Sequence, residues 1–163
     1  MIFRGKTPKT ATVQYNSPIG VITLVSDGDS LTELWLASPS TKEPSNNKNL
    51  QVFEETRRWL DLYFNGVKPD FTPSLNPQGS AFQQKVWREL LTIPYGHTTT
   101  YGTIAKHLSC RSAQAVGQAI HRNPIAIIIP CHRVIGSDGS LTGYASGLDI
   151  KKQLLTIENT YLL

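Results

Sequence analysis

Cysteine is scarce in this chain: Cys110 and Cys131 are the only two in 163 residues. Two thiols cannot staple a disulfide scaffold, and neither belongs to the C-x-x-C spacing of a metal site. Free thiols point to a reducing, cytoplasmic setting. Long apolar runs are also missing. None approaches the ~20 residues that a membrane-spanning helix needs. The opening MIFRGKTPKT carries positive charge but no apolar stretch behind it, so no secretory signal is expected. Internal repeats and low-complexity tracts are absent as well. Acidic residues run short in one half only. Residues 1–79 hold eight Lys/Arg and eight Asp/Glu, whereas residues 80–163 hold eight and four, so the net charge of +4 lies entirely in the second half. Such a bias is compatible with a nucleic-acid partner without requiring one, and it marks the half to search.

What remains is an ordinary globular composition, 39% hydrophobic and 17% charged. The length suits one domain or two small ones. The first half reads as a β-meander: ATVQYN (11–16), GVITLVS (20–26) and SLTELWL (30–36), separated by the turn signals Ser17-Pro18 and Asp27-Gly28-Asp29. Residues 37–49 are polar and expected to form a loop. Next, Leu50, Phe53, Arg57, Leu60 and Phe64 recur at helical spacing, widened by Trp59 and Tyr63 and stopped by Gly66. Nothing in this half looks chemical, and it is expected to be a supporting domain. Pro69, Pro73 and Pro77 make residues 65–79 an extended linker, which places a boundary near residue 79.

The second half, 80–163, reads as mainly helical. Ser80 caps AFQQKVWRELLTI, with Phe82, Val86 and Leu90 on one face. After a turn at Pro94-Tyr95-Gly96 and a threonine cluster come YGTIAKHL and, beyond the short break SCR, SAQAVGQAIHRN with Ser112 as N-cap. Two short helices so joined suggest a helix-turn-helix. The fold class is therefore α+β. The second of these helices carries Ala113, Ala115, Gly117 and Ala119, so something approaches its backbone closely. A neighbouring helix is one candidate. A DNA minor groove, only ~6 Å wide, is the other.

NPIAIIIPCHRVIG (123–136) ends an apolar run, read as a strand bracketed by Pro124 and Pro130, in a cysteine, a histidine and an arginine. His132 and Arg133 make an electropositive neighbourhood expected to lower the thiol pKa. Neighbours on an extended strand point opposite ways, so the backbone must turn at Cys131, or a water must bridge, for His132 to assist it. GSDGSLTGYASG (136–147) follows as a glycine-rich wrap able to close over a ligand.

PCHRV, preceded by NP and AVG and followed by GYASG and LLTIE, closely resembles the O6-alkylguanine-DNA alkyltransferases, proteins that repair DNA by direct reversal. The match runs in order from Phe82 to Glu158. The first half fits that family's smaller, ribonuclease H-like N-terminal domain as far as a meander and a helix can. The resemblance implies irreversible, stoichiometric transfer of an alkyl group from O6 of guanine to Cys131. His132 would take the thiol proton through a bound water, Glu158 would orient the imidazole, and Asn123 would brace the turn before the active-site strand. Tyr101 would contact the target nucleotide and assist its rotation. Tyr144, Ala145 and Ser146 would wall the base pocket. The helix bearing Gln114, Ala115 and Gly117 would enter the minor groove of alkylated double-stranded DNA, with Arg122 and Arg133 as further contacts. No cofactor, metal or membrane is implied, and a cytoplasmic monomer is expected.

The chemistry accounts for these residue types. Displacement at a saturated carbon favours a soft thiolate, and the thioether formed has no carbonyl for water to attack. One molecule would repair one lesion. The lesion faces into the duplex, so the nucleotide must flip out at a cost of about a few kcal/mol. The chain departs from the family at Gln114, where an arginine that props the opened stack is expected. Two other readings stay open: a DNA-binding module that transfers nothing, and a Cys-His hydrolase that turns over through thioesters.

Overall fold

Three short segments rich in β-branched, aromatic and leucine side chains are brought side by side by two tight turns. The computed structural model describes residues 10–36, 49–144 and 146–159. β1 (Ala11–Ser17), β2 (Gly20–Ser26) and β3 (Leu31–Leu36) form an antiparallel sheet in that order, with Val13 opposite Leu24 and Leu24 opposite Leu34. At the second turn Asp27 Oδ1 accepts from the backbone N–H of Asp29 and Ser30, the local bond that favours aspartate there. α1 (Gln51–Phe64) packs on β1 and β2. Its buried face is Val52, Phe53, Thr56, Trp59, Leu60 and Tyr63. The expected stripe is thus rotated, and Arg57 and Phe64 are only half-buried. Apart from Asn49, the loop expected over 37–49 lies outside the described residues, as does the N-terminal stretch 1–9.

The proline-rich stretch runs extended, and it uses the open edge of β3. Leu31 N–H donates to Ser74 O, and Leu31 O accepts from Asn76 N–H, both at 2.8 Å. Farther along the same edge, Leu34 N–H donates to Pro124 O at 2.8 Å and Leu34 O accepts from Ala126 N–H at 3.2 Å. An edge that would otherwise offer unpaired backbone groups is covered by two later segments.

α2 (Ala81–Leu90) begins with a reciprocal capping box between Ser80 and Gln83. Its buried face is Val86, Trp87 and Leu90; Phe82 is exposed, and Trp87 fills the place expected for it. β4 (Thr99–Thr100) leads directly into α3 (Tyr101–His107), and α4 (Ala113–His121) follows with Ser112 Oγ accepting from Ala115 N–H at 3.0 Å. α4 packs against both α2 and α3. Its small residues serve two ends. Ala119 is buried and lets the Trp87 indole N–H reach its carbonyl at 2.9 Å, whereas Ala113 and Gln114 are exposed and Ala115 is half-buried. β5 (Val134–Ile135) pairs in parallel with β4, and α5 (Leu148–Ile157) closes the chain against the turn at Cys131.

One expectation fails. Ile125–Ile129 is not a strand: Ile125 makes a single bridge to Leu34, and the chain then turns, with Ile127 at φ 69°. A left-handed β-branched residue costs about 1–3 kcal/mol. Burying a side chain of this size contributes about 1.5–3 kcal/mol, and Ile125, Ile127 and Ile129 are all fully buried. Burial outweighs strain, so apolarity here signals a packed turn.

Candidate active site

Asn123 ties that turn together. Its Nδ2 donates to Ile129 O at 2.9 Å and to Cys131 Sγ at 3.2 Å, and its Oδ1 accepts Ile125 N–H at 2.9 Å. Cys131–Arg133 then forms a single 3-10 turn, with Arg133 N–H donating to Pro130 O. This turn removes the alternation of a strand, so consecutive side chains can serve one site.

His132 has no solvent exposure, and its Nε2 lies 2.5 Å from Glu158 Oε2. Glu158, at the C-terminal end of α5, is also buried. Its Oε1 accepts from Arg133 Nε at 2.8 Å and from Gly96 N–H at 3.2 Å, and its Oε2 accepts from the Tyr63 hydroxyl at 2.7 Å as well. Burial alone would raise this carboxyl, but the bonds and charges of His132 and Arg133 outweigh it and bring it down to about 2. Glu158 is therefore an anion at any working pH. Burial pushes the His132 imidazole down, against the pull of Glu158, and favours the neutral ring. With Nε2–H given to the carboxylate, Nδ1 carries the lone pair. Among the described residues that buried Nδ1 has no hydrogen-bond partner. It is a base in waiting.

Burial also pushes the Cys131 thiol up; Asn123 and the charge of Lys151 only partly offset this. The expected electropositive activation is thus corrected: the resting sulfur is a thiol. Burial is the cause, and the Arg133 charge is engaged with Glu158 instead. Arg133 is 7% exposed, with Nη1 donating to Ile93 O at 2.7 Å, so it faces the interior and not DNA. Cys131 keeps 8% exposure and lines a cleft with Trp35, Ile120, Asn123, Tyr144 and Ser146. Among the described residues the buried Tyr144 hydroxyl has no hydrogen-bond partner of ordinary geometry, yet it lies near enough for its dipole to favour the thiolate. Ala145 lies outside the described residues.

Beside the cleft stands the exposed side of the helix pair. Gln114 and Arg122 are exposed, and Gly117 lies under the Tyr101 ring, which a Cβ there would approach at 3.8 Å. Tyr101 donates its hydroxyl to Thr142 O at 3.2 Å, linking the start of α3 to the glycine-rich segment. At Gly143, φ is 55° and His121 Nε2 would sit 2.7 Å from an added Cβ, so this close crossing needs glycine.

Two participants escaped the sequence reading. Tyr63 comes from the half expected to hold no chemistry. Lys151 is buried, donates to Val134 O at 2.5 Å and Thr142 O at 2.9 Å, and is lowered by burial to about 8. A signal for Lys151 existed: Lys151, Leu154, Leu155 and Glu158 follow helical spacing, which puts two charges on an apolar seam. For Tyr63 no local signal exists.

Comparison with known proteins finds matches over most of the chain. Residues 81–160 match the family model described as 6-O-methylguanine DNA methyltransferase, DNA binding domain, and residues 13–77 match that of its ribonuclease-like domain. The methylated-DNA–protein-cysteine methyltransferase of Methanosarcina acetivorans is 47% identical over 150 residues, covering 90% of this chain and 96% of its own. That of Mycobacterium leprae is 47% identical over 152 residues, covering 91% and 92%. Among solved structures, Mycobacterium tuberculosis OGT in complex with DNA is 43% identical with a TM-score of 0.79 and 91% of each chain covered.

Proposed function

This chain belongs to the 6-O-methylguanine DNA methyltransferase family, and on that premise we propose how its own residues carry out the reaction. The protein binds DNA and repairs it by direct reversal, moving an alkyl group from the damaged base to a cysteine of its own. Cys131 is the acceptor. As the alkylated guanine enters the cleft, the thiol proton passes to His132 Nδ1, directly or across a water. The sulfur forms a bond to the alkyl carbon, the carbon–O6 bond breaks, and its electron pair stays on the guanine, which takes up a proton from water. The Glu158 carboxylate stabilises the imidazolium that results. Because the product is a thioether, one chain repairs one lesion. The observation that carries this reading is a buried imidazole with a bare Nδ1 on the residue that follows, in one 3-10 turn, a thiol lining a cleft.

The exposed side of α4 is proposed to enter the minor groove, where Ala113 and Ala115 leave room. The division near residue 79 separates a supporting half from the half that binds DNA. One chain supplies every group named, which suits a monomer, and the two free thiols suit a reducing cytoplasm. Mixed with an oligonucleotide duplex carrying O6-methylguanine, the protein should gain one methyl group by intact mass and then stop. Binding without a mass gain would instead favour a lesion-binding module, and continued product release a hydrolase.

Gln114 can hydrogen-bond an orphaned base but brings no charge. A charge-assisted bond from arginine is worth about 1 kcal/mol more, roughly fivefold in rate. Gln114→Arg should therefore speed transfer on duplex DNA while leaving single-strand rates unchanged. An equal or slower duplex rate would remove Gln114 from the flipping step.

A further inference from the structure

The Tyr63 hydroxyl reaches across from α1 into the His132–Glu158 pair. It lies 2.7 Å from Glu158 Oε2 and 3.4 Å from His132 Nε2. We propose that Tyr63 is a positioning residue for alkyl transfer: its hydroxyl holds the Glu158 carboxylate and, through it, keeps the His132 ring neutral with Nδ1 bare. This rests on the reaction proposed above.

A fully buried tyrosine needs some hydrogen-bond partner, so a bond alone proves little. The choice of partner is more telling. Leu154 O stands 3.5 Å from the same hydroxyl, yet the shorter bond goes to the carboxylate. The ring is fixed independently of that bond. It stacks on Trp59 at 5.3 Å and 10°, and meets Phe64 and Tyr95 edge-on. Phenylalanine would keep all of those ring contacts and lose only the oxygen. The hydroxyl also stays protonated, since burial and Glu158 both oppose its ionisation. It is a permanent donor.

The sign of its effect follows. A donor on Oε2 draws off carboxylate charge and weakens the hold on the imidazole proton. Remove it, and the carboxylate attracts that proton more strongly, so the imidazolium gains. The other groups around the pair are the Arg133 and Lys151 cations, the Tyr95 and Tyr144 hydroxyls and the Cys131 thiol. Tyr63→Phe leaves each of them in place.

The test follows the titration of His132 by NMR in full-length protein with isotope-labelled histidine, alongside the pH dependence of the single-turnover rate. In Tyr63→Phe the His132 midpoint should rise by about one pH unit, the share of one charge-assisted hydrogen bond. The acid limb of the rate should move up with it, costing up to about tenfold on that limb while the alkaline plateau holds. Trp59→Phe, which alters the stack and spares the hydroxyl, should leave the midpoint alone. An unmoved midpoint in Tyr63→Phe, or an equal shift in Trp59→Phe, would overturn the proposal. The titration does not depend on transfer. A shifted midpoint in a protein that never alkylates Cys131 would uphold Tyr63 as the holder of the pair and overturn the reaction assigned to it.

Discussion

Cys131→Ser folds, binds duplex DNA and takes no alkyl group from it. The substitution is nearly isosteric, and the Asn123 amide that donates to Sγ can donate to a hydroxyl in the same place, so stability should change by no more than about 1 kcal/mol. Reactivity should fall far more. Serine is a harder nucleophile whose proton is held much more tightly, and a neutral imidazole suited to a thiol cannot remove it before displacement at carbon. A loss on the order of 10⁴-fold or more is expected, as when a nucleophile is removed from other enzymes. Intact mass after incubation with O6-methylguanine duplex reads this directly. Cys110→Ser serves as the control. Cys110 is half-buried and its thiol rests on Ser112 O at 3.5 Å, away from the cleft lining, so that variant should alkylate at the full rate. A mass gain in Cys131→Ser would move the acceptor elsewhere and end the mechanism.

Glu158→Gln should cost both stability and rate. The carboxylate accepts from Tyr63, His132, Arg133 and Gly96 N–H. A glutamine offers one oxygen and turns an amide donor toward groups that are themselves donors. It also leaves the Arg133 cation buried without its counter-charge, a loss of about 3–5 kcal/mol. The pH dependence identifies the cause. Glu158 titrates at about 2 in the folded protein, below its ordinary 4.5. Its contribution is thus complete above the ordinary value and is lost as pH falls toward 2. Urea denaturation should show the wild type losing stability across that window, with the variant starting lower and falling less. Transfer should slow by about 10²-fold or more as the imidazolium loses its counter-ion. Wild-type stability in the variant at neutral pH would mean that the network contributes little to folding.

Local chemistry was legible in the sequence wherever a short stretch decides its own structure. The Ser80 and Ser112 caps and the Asp27–Asp29 turn each act within a few residues, and each stands where expected. The meander and the helix order were readable for the same reason. What the sequence hid depends on partners far along the chain. Tyr63 meets a carboxylate 95 residues away. Arg133 looked like a free cation because nothing beside it in sequence announces Glu158. The isoleucine run misled because a buried turn and a buried strand ask for the same side chains.

The bond between Leu34 and Pro124 carries a further consequence for how the chain matures. Joining positions so distant requires closing a large loop, which comes late when a chain organises itself. The bend that carries the sulfur is built from the residues just after that junction. Asn123, His132 and Glu158 all lie within residues 123–158, but the Tyr63 hydroxyl that meets the carboxylate comes from the other half. The Glu158 carboxylate therefore has its full set of donors only when both halves have met.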